Sequence, residues 1–339
     1  MNFELARLNL SLYAVNDSLP SVTVIIAARP DLADIKAVTS ARAFDYPNDK
    51  LDIIVARGRQ PSVQRNAALR AARGELIYFL DDDSVVSPDK LRRAISHFSS
   101  PKVEIVGGPN LCPPDAPEVE QAFALVMTSW LAFMSSRARY AQVGRVRETG
   151  EKELILCNLI ARRKTMLRHG GFNEALYPNE ENALMDEIQK QDGKLIYDPE
   201  FFVYRRPRST LKSYVRMLLN YGRGRAEQVR LHPTTGSAPN FIPALFCVYL
   251  IVLPFVLWMS PAFFAPYWLA PLALYVLALL IQTAALIPSG GITRSLLGLP
   301  LIILTHSIYG VGFWRGLFTK LKAPHEPGAT PVALETVTR

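Results

Sequence analysis

Residues 231–293 contain no Asp, Glu, Lys or Arg, a run of 63 residues. Within it, 241–259 and 264–287 are each long enough to cross a hydrocarbon core of about 30 Å at about 1.5 Å per residue. A third apolar run, 296–314, follows Arg294. A soluble domain does not need such a stretch. Hydropathy therefore predicts a membrane region of about three hydrophobic helices over 241–318, followed by a tail over 319–339.

The net charge of +8 is unevenly distributed along the chain. Residues 205–230 contribute +7 and residues 231–339 contribute +3, which leaves −2 for the first 204 residues. The basic excess precedes the first apolar run, so the positive-inside rule predicts a cytoplasmic N-terminal domain. Three full spans would put Arg315, Lys320 and Lys322 on the outside, against the same rule. The third run is therefore either re-entrant or interfacial, or the tail violates the rule.

Strand and helix patterns alternate at the start of the N-terminal part. Apolar and β-branched runs over 21–29, 51–56 and 75–80 predict three buried strands. Segments 32–43 and 62–74 predict the helices between them, the second with Ser62 as N-cap and Gly74 as its stop. This order implies a parallel sheet with right-handed crossovers. The expected architecture is an α/β domain over 21–204 after a lead-in over 1–20.

Asp81, Asp82 and Asp83 come directly after the third predicted strand. Like charges this close raise each other's pKa, so we expect a positive partner beside them. Ligands of parallel sheets bind beyond the carboxyl ends of the strands, and carboxylates with phosphate oxygens suit Mg²⁺ or Mn²⁺. The alternative is an acidic surface turn that caps the following helix. Three cations lie near enough in the sequence to reach the same ligand: Arg29, Arg57 and Arg65.

Six segments, taken in order, resemble the inverting family 2 glycosyltransferases of the GT-A fold. They are 21–29, SVQRNAAL (62–69), GELIYFLDDDS (74–84), VGGP (106–109), GGFNE (170–174) and YPNEENAL (177–184). The resemblance covers residues 21 to about 230 and is nearest to the membrane-attached, succinoglycan-type (ExoA-like) bacterial branch. It implies a GT-A domain that moves a hexose from a nucleotide-diphosphate sugar to a polyprenyl-diphosphate-linked acceptor. It also implies a divalent metal, Mn²⁺ or Mg²⁺, and a place on the cytoplasmic face of a bacterial inner membrane, in exopolysaccharide or cell-surface glycan synthesis.

The resemblance also assigns roles to acidic residues. The family's Asp-x-Asp motif falls on Asp81, which would contact the nucleotide, and Asp83, which would ligate the metal, with Asp82 as the variable middle. The family's acidic pair falls on Glu180-Glu181, which implies that Glu181 is the general base, with Glu180 as the second candidate. An exposed first helical turn, where the helix dipole favours acids, is the alternative explanation of this pair.

Other predicted contacts concern the donor nucleotide and the acceptor. The turn ARGRQPS lacks the acid with which the family usually contacts uracil, which leaves the base open. UDP is the default nucleotide from the resemblance, held by Arg29, Arg57 and Arg65 instead of that acid. Asn158 would face the sugar pocket, or would be a buried amide satisfied by backbone. Gly107 and Gly108 would allow a close backbone approach to the acceptor, or a turn.

Residues 205–232 form a basic segment in which apolar and cationic side chains fall on different helical faces. Such a helix lies in the membrane interface. Four arginines would grip the acceptor pyrophosphate, or would only anchor the chain to lipid: Arg205, Arg206, Arg223 and Arg225. Nucleic acid is not an expected partner, because the sequence offers no platform of interleaved aromatic and basic residues.

Two rivals to this function remain open. A polyprenyl-phosphate monosaccharide synthase would attack through a phosphate oxygen and would need no general base. A membrane scaffold that binds a nucleotide sugar without catalysis belongs to another class. The Gln-x-x-Arg-Trp motif of processive synthases does not occur, which favours transfer of one sugar per acceptor.

Overall fold

The computed structural model describes residues 19–176, 179–231, 233, 235–321 and 331–338. The predicted lead-in over 1–20 lies almost wholly outside the described residues, as does Lys322. The strands are β1 (Val22–Ala28), β2 (Leu51–Arg57), β3 (Leu76–Asp81), β4 (Val103–Gly107), β5 (Asn110–Leu111), β6 (Arg147–Thr149), β7 (Asn158–Arg162), β8 (Lys194–Tyr197), β9 (Val203–Tyr204) and β10 (Ala333–Val337). The helices are α1 (Lys36–Arg42), α2 (Pro61–Ala71), α3 (Lys90–Ser96), α4 (Glu118–Met127), α5 (Trp130–Phe133), α6 (Arg163–Arg168), α7 (Glu180–Lys190), α8 (Leu211–Leu231), α9 (Ile242–Met259) and α10 (Ala265–Phe318).

The main sheet has the strand order β10-β2-β1-β3-β7-β4-β8-β6. Strands β2, β1 and β3 are parallel, as the sequence predicts, while β7 pairs antiparallel with both β3 and β4. The predicted α/β class is confirmed, with a mixed sheet beyond the first three strands. Because β1 lies between β2 and β3, the chain reverses its direction of travel across the sheet there. The carboxyl ends of β1 and β3 therefore form a topological switch point, where ligands bind in open α/β sheets.

Two predicted helix boundaries are wrong. Helix α2 begins at Pro61, with Gln60 at the N-cap position, so Ser62 lies inside the helix and does not cap it. Proline is favoured at the first helical position because its missing N–H would have no partner there. Helix α1 begins at Lys36, and residues 29–35 form a loop after β1 instead of a helical turn.

The apolar region forms two helices, α9 and α10, and the second of them is itself divided into two arms. In α10, Gly291 has φ 73° and ψ 171°, which breaks the helix into an outgoing arm (265–290) and a returning arm (292–318). The arms fold back on each other, with the Tyr275 hydroxyl 2.8 Å from Nδ1 of His306. Two segments, Ser237–Met259 and Ala262–Phe318, are long and apolar enough to cross a membrane, and only 11% and 17% of their most apolar windows are buried. Their large side chains are therefore mostly exposed, as in Trp258 at 85%.

Helix α8 joins the sheet domain to the apolar helices. On one side, Tyr214 is fully buried and its ring stacks on Phe123 of α4 at 4.4 Å. On the other side, α8 packs against the returning arm so closely that a Cβ on Gly312 would lie 2.4 Å from the Leu219 carbonyl oxygen. The predicted apolar face is only partly buried, because Leu218 is covered while Leu211 is 52% exposed.

Strand β10 was not predicted. After the apolar helices, the chain returns to the sheet domain and pairs antiparallel with β2, from Ala333 opposite Arg57 to Val337 opposite Ile53. Without β10, strand β2 would present unpaired N–H and C=O groups at the edge of the sheet. The sheet that carries Asp81 thus includes residues from both ends of the described chain.

Candidate active site

The three aspartates lie at the switch point, and arginines neutralise two of them. Nη2 of Arg65 lies 2.7 Å from Oδ1 of Asp81. Arg205 bridges the motif, with Nη1 at 2.9 Å from Oδ2 of Asp81 and Nε at 2.5 Å from Oδ1 of Asp83. The structure therefore places Arg205, which the sequence assigned to the acceptor, beside the predicted donor motif.

The electrostatics of the motif follow from these contacts. Burial alone would raise the pKa of Asp81, but the guanidinium groups of Arg205 and Arg65 outweigh it and hold that pKa below its usual value. Burial, together with the negative charges of Asp83 and Asp81, raises the pKa of Asp82. Arg205 and Arg29 also act to lower the pKa of Asp82, but their effect is smaller than the effects that raise it. One position in the triad is thus strongly anionic and the next is easier to protonate.

Asp81 and Asp83 fit a divalent cation. A carboxylate oxygen of each residue contacts the same cationic group, the Arg205 guanidinium. The two carboxylates therefore already flank one positive charge. Mg²⁺ is commonly held by one or two carboxylates together with substrate phosphates. In the part of the chain that the structure describes, no group of three or more His, Cys, Asp or Glu side chains is placed to hold a metal ion, so substrate phosphates would have to complete the coordination.

Glu180 belongs to the aspartate side of the site. Its side chain is only 3% exposed, and its Oε1 lies 3.3 Å from Nη1 of Arg65, whose other nitrogen holds Asp81. Burial, reinforced by the neighbouring charge of Glu181, raises the pKa of Glu180 to about 8. Since a general base must be ionised and must reach the acceptor, this burial argues against Glu180 in that role.

Glu181 faces a different space, a cavity of about 540 Å³. The cavity wall comes from both parts of the molecule. The sheet domain contributes the 130–143 segment, Lys152, Glu153, Ile155, Asn179 and Glu181. The other side consists of Leu218, Tyr221 and Arg225 of α8, Pro239, Asn240 and Pro243 before and in α9, and Thr305, His306 and Tyr309 of the returning arm. Glu181 therefore meets a pocket whose far wall is made by the apolar helices.

The start of α7 aims Glu181 at this cavity. Asn179 precedes the helix with φ 99°, an uncommon backbone conformation for a residue with a side chain. Asn182 holds this turn from inside the helix, since its Nδ2 donates to the Asn179 side-chain oxygen at 2.8 Å. Its own side-chain oxygen accepts a hydrogen bond from Nη2 of Arg139 at 2.5 Å. A strained backbone that is held by such contacts is typical of functional sites.

Cations line the same cavity. Arg225, one of the four arginines predicted for the acceptor, has Nη1 3.2 Å from Oε1 of Glu151. Arg139 also approaches this carboxylate, at 3.8 Å. Arg137 makes no side-chain hydrogen bond or ion pair with any residue that the structure describes. Glu151 thus offsets the charge of both Arg225 and Arg139, and Arg137 adds a further positive charge that can attract an anion.

Three hydrogen-bond donors of cavity-lining residues are also unsatisfied. They are Nε of Arg139, Nδ2 of Asn179 and Nδ2 of Asn240, each buried without a partner among the described atoms. Leaving a buried donor unpaired costs about 1–3 kcal/mol, so buried polar groups normally have partners. Together with Arg137, these donors suit a ligand rich in hydroxyl or phosphate oxygens. Sequence reasoning missed all four residues, although SSRAR (135–139) offered a basic signal outside any predicted element.

Arg29 and Arg57 lie at the ends of β1 and β2. Arg29 is exposed, whereas the Arg57 guanidinium is occupied. Nη1 of Arg57 donates to the carbonyl oxygens of Leu32 and Arg29, at 2.7 and 3.3 Å, and its Nε lies 2.7 Å from Oε1 of Glu335 in β10. In this arrangement Arg57 supports the loop after β1. Direct contact of Arg29 and Arg57 with a nucleotide stays a prediction.

Asn158 and the glycine pair lie away from the cavity. Asn158 is fully buried, and both ends of its amide have partners, the Tyr78 hydroxyl at 2.9 Å and the Phe201 carbonyl at 2.6 Å. These contacts agree with the alternative of a satisfied buried amide. A Cβ on Gly108 would lie 1.7 Å from the Phe201 carbonyl oxygen, and one on Gly107 would lie 3.1 Å from Leu154. Both glycines therefore allow internal packing, and the structure brings neither to the acceptor side.

The remaining two predicted acceptor arginines are engaged elsewhere. Nη2 of Arg206 lies 3.6 Å from Asp115, in a pair that is largely exposed. Nε of Arg223 lies 3.6 Å from Glu227, one helical turn further along α8. Of the four arginines that the sequence assigned to the acceptor, only Arg225 lines the cavity.

Comparison with known proteins agrees with this geometry. The profile described as "Glycosyltransferase like family 2" matches residues 10–220, more than half of the chain. The chain belongs to family 2 of the glycosyltransferases. The resemblance identified from its motifs is therefore confirmed.

Two further relatives of this glycosyltransferase add detail. The succinoglycan biosynthesis protein ExoO of Rhizobium meliloti (strain 1021) is 31% identical over 115 residues. The match covers 26% of this chain and 33% of the length of ExoO. The mannosyltransferase PcManGT of Pyrobaculum calidifontis, solved with GDP-Man and Mn²⁺, superposes with a TM-score of 0.51 at 18% identity. That match covers 88% of each chain. At this identity it supports the GT-A fold alone.

Proposed function

We propose that this glycosyltransferase moves one sugar, with inversion, from a nucleotide-diphosphate sugar to a lipid-linked acceptor at a membrane surface. The observation that carries the proposal is the cavity beside Glu181, whose wall the sheet domain shares with the exposed apolar helices. An acceptor seated there would have its reactive hydroxyl at Glu181 and its lipid along α9 and α10. The relation to ExoO, a succinoglycan biosynthesis protein, favours an exopolysaccharide or related glycan as the product.

On the donor side, Asp81 and Asp83 would hold a divalent metal, with Arg65 keeping Asp81 in place. When bound, Mn²⁺ or Mg²⁺ supplies positive charge to the departing nucleotide diphosphate. The Arg205 guanidinium must then leave the carboxylates, and it becomes available to the diphosphate oxygens. The presence of GDP-Man and Mn²⁺ in PcManGT supports a nucleotide-sugar donor and a metal.

On the acceptor side, Glu181 would act as the general base. It is half-buried at the cavity wall, where it could remove the proton from an acceptor hydroxyl as that oxygen attacks the anomeric carbon. Attack opposite the leaving diphosphate inverts the anomeric centre. Arg137, Arg139 and Arg225 would hold the acceptor phosphates, because a planar guanidinium binds phosphate in a bidentate manner.

A membrane location follows from the same features. The large apolar side chains of α9 and the outgoing arm are exposed, and an exposed surface of this kind is unusual for a soluble domain. The net charge of +7 over 205–230 favours the cytoplasmic face of the inner membrane. Lipid is therefore proposed as a permanent contact of the apolar helices, in addition to the lipid of the acceptor.

Transfer of label from the donor tests this proposal. The full chain in detergent is given labelled UDP-hexoses or GDP-mannose, a bacterial lipid extract, and either Mn²⁺ or chelator. We expect label in the lipid phase only when metal is present. The rate of transfer should fall at least about a hundredfold in Glu181→Gln, which is the size of a general-base contribution. It should fall by a comparable factor in Asp83→Asn. Glu187→Gln is the matched control, since Glu187 lies on the same helix and pairs with Lys190 at 2.8 Å near the surface.

The outcomes separate the proposed function from its rivals. If metal-dependent labelling survives in Glu181→Gln, the attacking group would be a lipid phosphate oxygen, which needs no general base. Arg137 in the cavity wall would bind that phosphate as well. Absence of label with every donor, together with intact nucleotide binding, would favour a non-catalytic binding protein.

A further inference from the structure

The C-terminal strand reaches the donor end of the sheet. Strand β10 forms five consecutive pairs with β2, and the pairing ends with Ala333 opposite Arg57, the last residue of β2. Most side chains of β10 are exposed, and the chain is packed at the two ends of the strand. Val337 contacts the apolar core on one face of the sheet, and Val332, just before the strand, contacts the core on the other. A further hydrogen bond, from Nε of Arg42 to the Thr338 carbonyl at 3.1 Å, fixes the end of the tail to α1.

One ion pair connects this strand to the loop after β1. Oε1 of Glu335 lies 2.7 Å from Nε of Arg57, and Nη1 of Arg57 donates to the carbonyls of Leu32 and Arg29. The guanidinium is therefore oriented from one side by the C-terminal carboxylate and grips two backbone carbonyls on the other. The Arg57 side chain is 20% exposed and the Glu335 side chain is 48% exposed, so solvent weakens the attraction between them.

The helix that follows this loop contacts the aspartate motif. Residues 29–35 lead directly into α1, and the N–H of Ala37 in its first turn donates to the Asp82 carbonyl at 3.2 Å. A chain of contacts thus runs from Glu335 through Arg57 and the loop to the backbone of Asp82. This loop is also the wall of the switch point between β1 and β3, where ligands bind in open α/β sheets.

We infer that the C-terminal strand is part of the donor site, and that Glu335 is a positioning residue that fixes the 29–35 loop through Arg57. The inference rests on the proposed function in one respect, namely that a nucleotide-diphosphate sugar binds at the carboxyl ends of β1 and β3. Glu335 does not touch the donor. It sets the position of backbone groups beside the nucleotide and therefore affects donor affinity more than turnover.

Hydrogen exchange of the full chain in detergent tests the contact chain without any substrate. We expect Glu335→Gln to speed exchange over residues 31–37 at least about threefold, the effect that a half-exposed ion pair supports. Glu335→Asp should restore part of the protection. Glu148→Gln is the matched control, because Glu148 forms an exposed pair with Lys194 at 2.6 Å, on the opposite edge of the same sheet. Wild-type exchange rates over 31–37 in Glu335→Gln would overturn the inference.

Nucleotide binding and kinetics test the functional half. We expect Glu335→Gln to weaken the binding of UDP or GDP, measured by calorimetry, about threefold to fivefold. It should raise the donor KM by a similar factor while kcat stays near the wild-type value. Faster loop exchange with unchanged nucleotide affinity would overturn the assignment to the donor site. If the wild type bound neither nucleotide, the proposed function would fail, while the exchange result would still decide whether Glu335 positions the loop.

Discussion

Replacing Arg205 by alanine should destabilise the protein in the absence of metal. Arg205 is 25% exposed and pairs with Asp81, which is 21% exposed, and with Asp83, which is 43% exposed. Breaking a fully buried pair costs about 3–5 kcal/mol, whereas an exposed pair contributes about 0.2–1 kcal/mol. The half-buried geometry here, with Arg65 still beside Asp81, gives an expected loss of about 1–3 kcal/mol.

Thermal unfolding in detergent with chelator measures this loss. For a domain of this size, about 1 kcal/mol shifts the melting temperature by about 2–4 °C, so Arg205→Ala should melt about 2–12 °C lower. Arg206→Ala is the control at the adjacent position. Arg206 makes only a 3.6 Å contact with an exposed carboxylate, and its removal should stay within about 0.5 kcal/mol of the wild type.

The pH dependence of the difference has a definite sign. The folded protein holds the pKa of Asp81 below its usual value, so this carboxylate contributes stability above its unfolded pKa of about 3.9 and loses it as the pH falls. Part of that depression comes from Arg205. The gap in melting temperature between wild type and Arg205→Ala should therefore be full near pH 7 and should narrow as the pH drops below about 4.

Metal affinity provides the decisive test of this account. If Mn²⁺ takes the position that the Arg205 guanidinium holds, the ion must displace the guanidinium in the wild type but not in Arg205→Ala. A difference of about 1–3 kcal/mol corresponds to binding that is about fivefold to 150-fold tighter in the variant, measured from the free Mn²⁺ signal in electron paramagnetic resonance. Equal or weaker Mn²⁺ binding in Arg205→Ala, with an unchanged melting temperature, would refute the reasoning.

Two further substitutions test other parts of the structure. Glu180→Gln should become more stable relative to the wild type as the pH rises from about 4.5 to 8. The pKa of Glu180 is raised to about 8 in the folded protein, so the wild type loses stability over this pH range and the variant does not. A difference in melting temperature that stays constant across this range would contradict the prediction. Gly312→Val should cost about 1–3 kcal/mol, since a Cβ there lies 2.4 Å from the Leu219 carbonyl oxygen, whereas Gly298→Ala, with nothing nearer than 3.7 Å, should be neutral or stabilising in the same melting assay.

Local patterns in the sequence predicted the parts of the fold that depend on local chemistry. The β-branched run of β1 and the apolar run of β3 read as buried strands, and the aspartates at the end of β3 followed from them. The parallel order of β2, β1 and β3 needed only the rule for crossover connections. The mixed half of the sheet was not predicted, because short strands such as β6, with three residues, carry too little pattern to be recognised.

The composition of the site was harder to predict because it depends on contacts between distant segments. Arg205 lies 122 residues from Asp83, and a basic run before an apolar region suggested lipid instead of a carboxylate partner. Arg137 and Asn240 are distant in the sequence but line the same cavity, because α8 joins the sheet domain to the apolar helices. The alternation in PVALETV (331–337) was a usable strand signal, but its place beside β2, after the apolar helices, was not accessible from the sequence.

Because the chain returns to its own sheet after the apolar helices, the number of times that it can cross a bilayer is restricted. Strands β2 and β10 are hydrogen-bonded neighbours, so residues 51–57 and 333–337 lie on one side of any membrane that the helices enter. A chain that leaves and rejoins one sheet makes an even number of crossings, which excludes three full spans. Arg315 and Lys320 then share a side with the basic segment 205–230, and the contact of Nη1 of Arg230 with the Gly316 carbonyl, at 3.0 Å, places the two ends of the excursion together. The conflict with the positive-inside rule disappears, because the basic residues before and after the apolar helices then lie on the same side of the membrane.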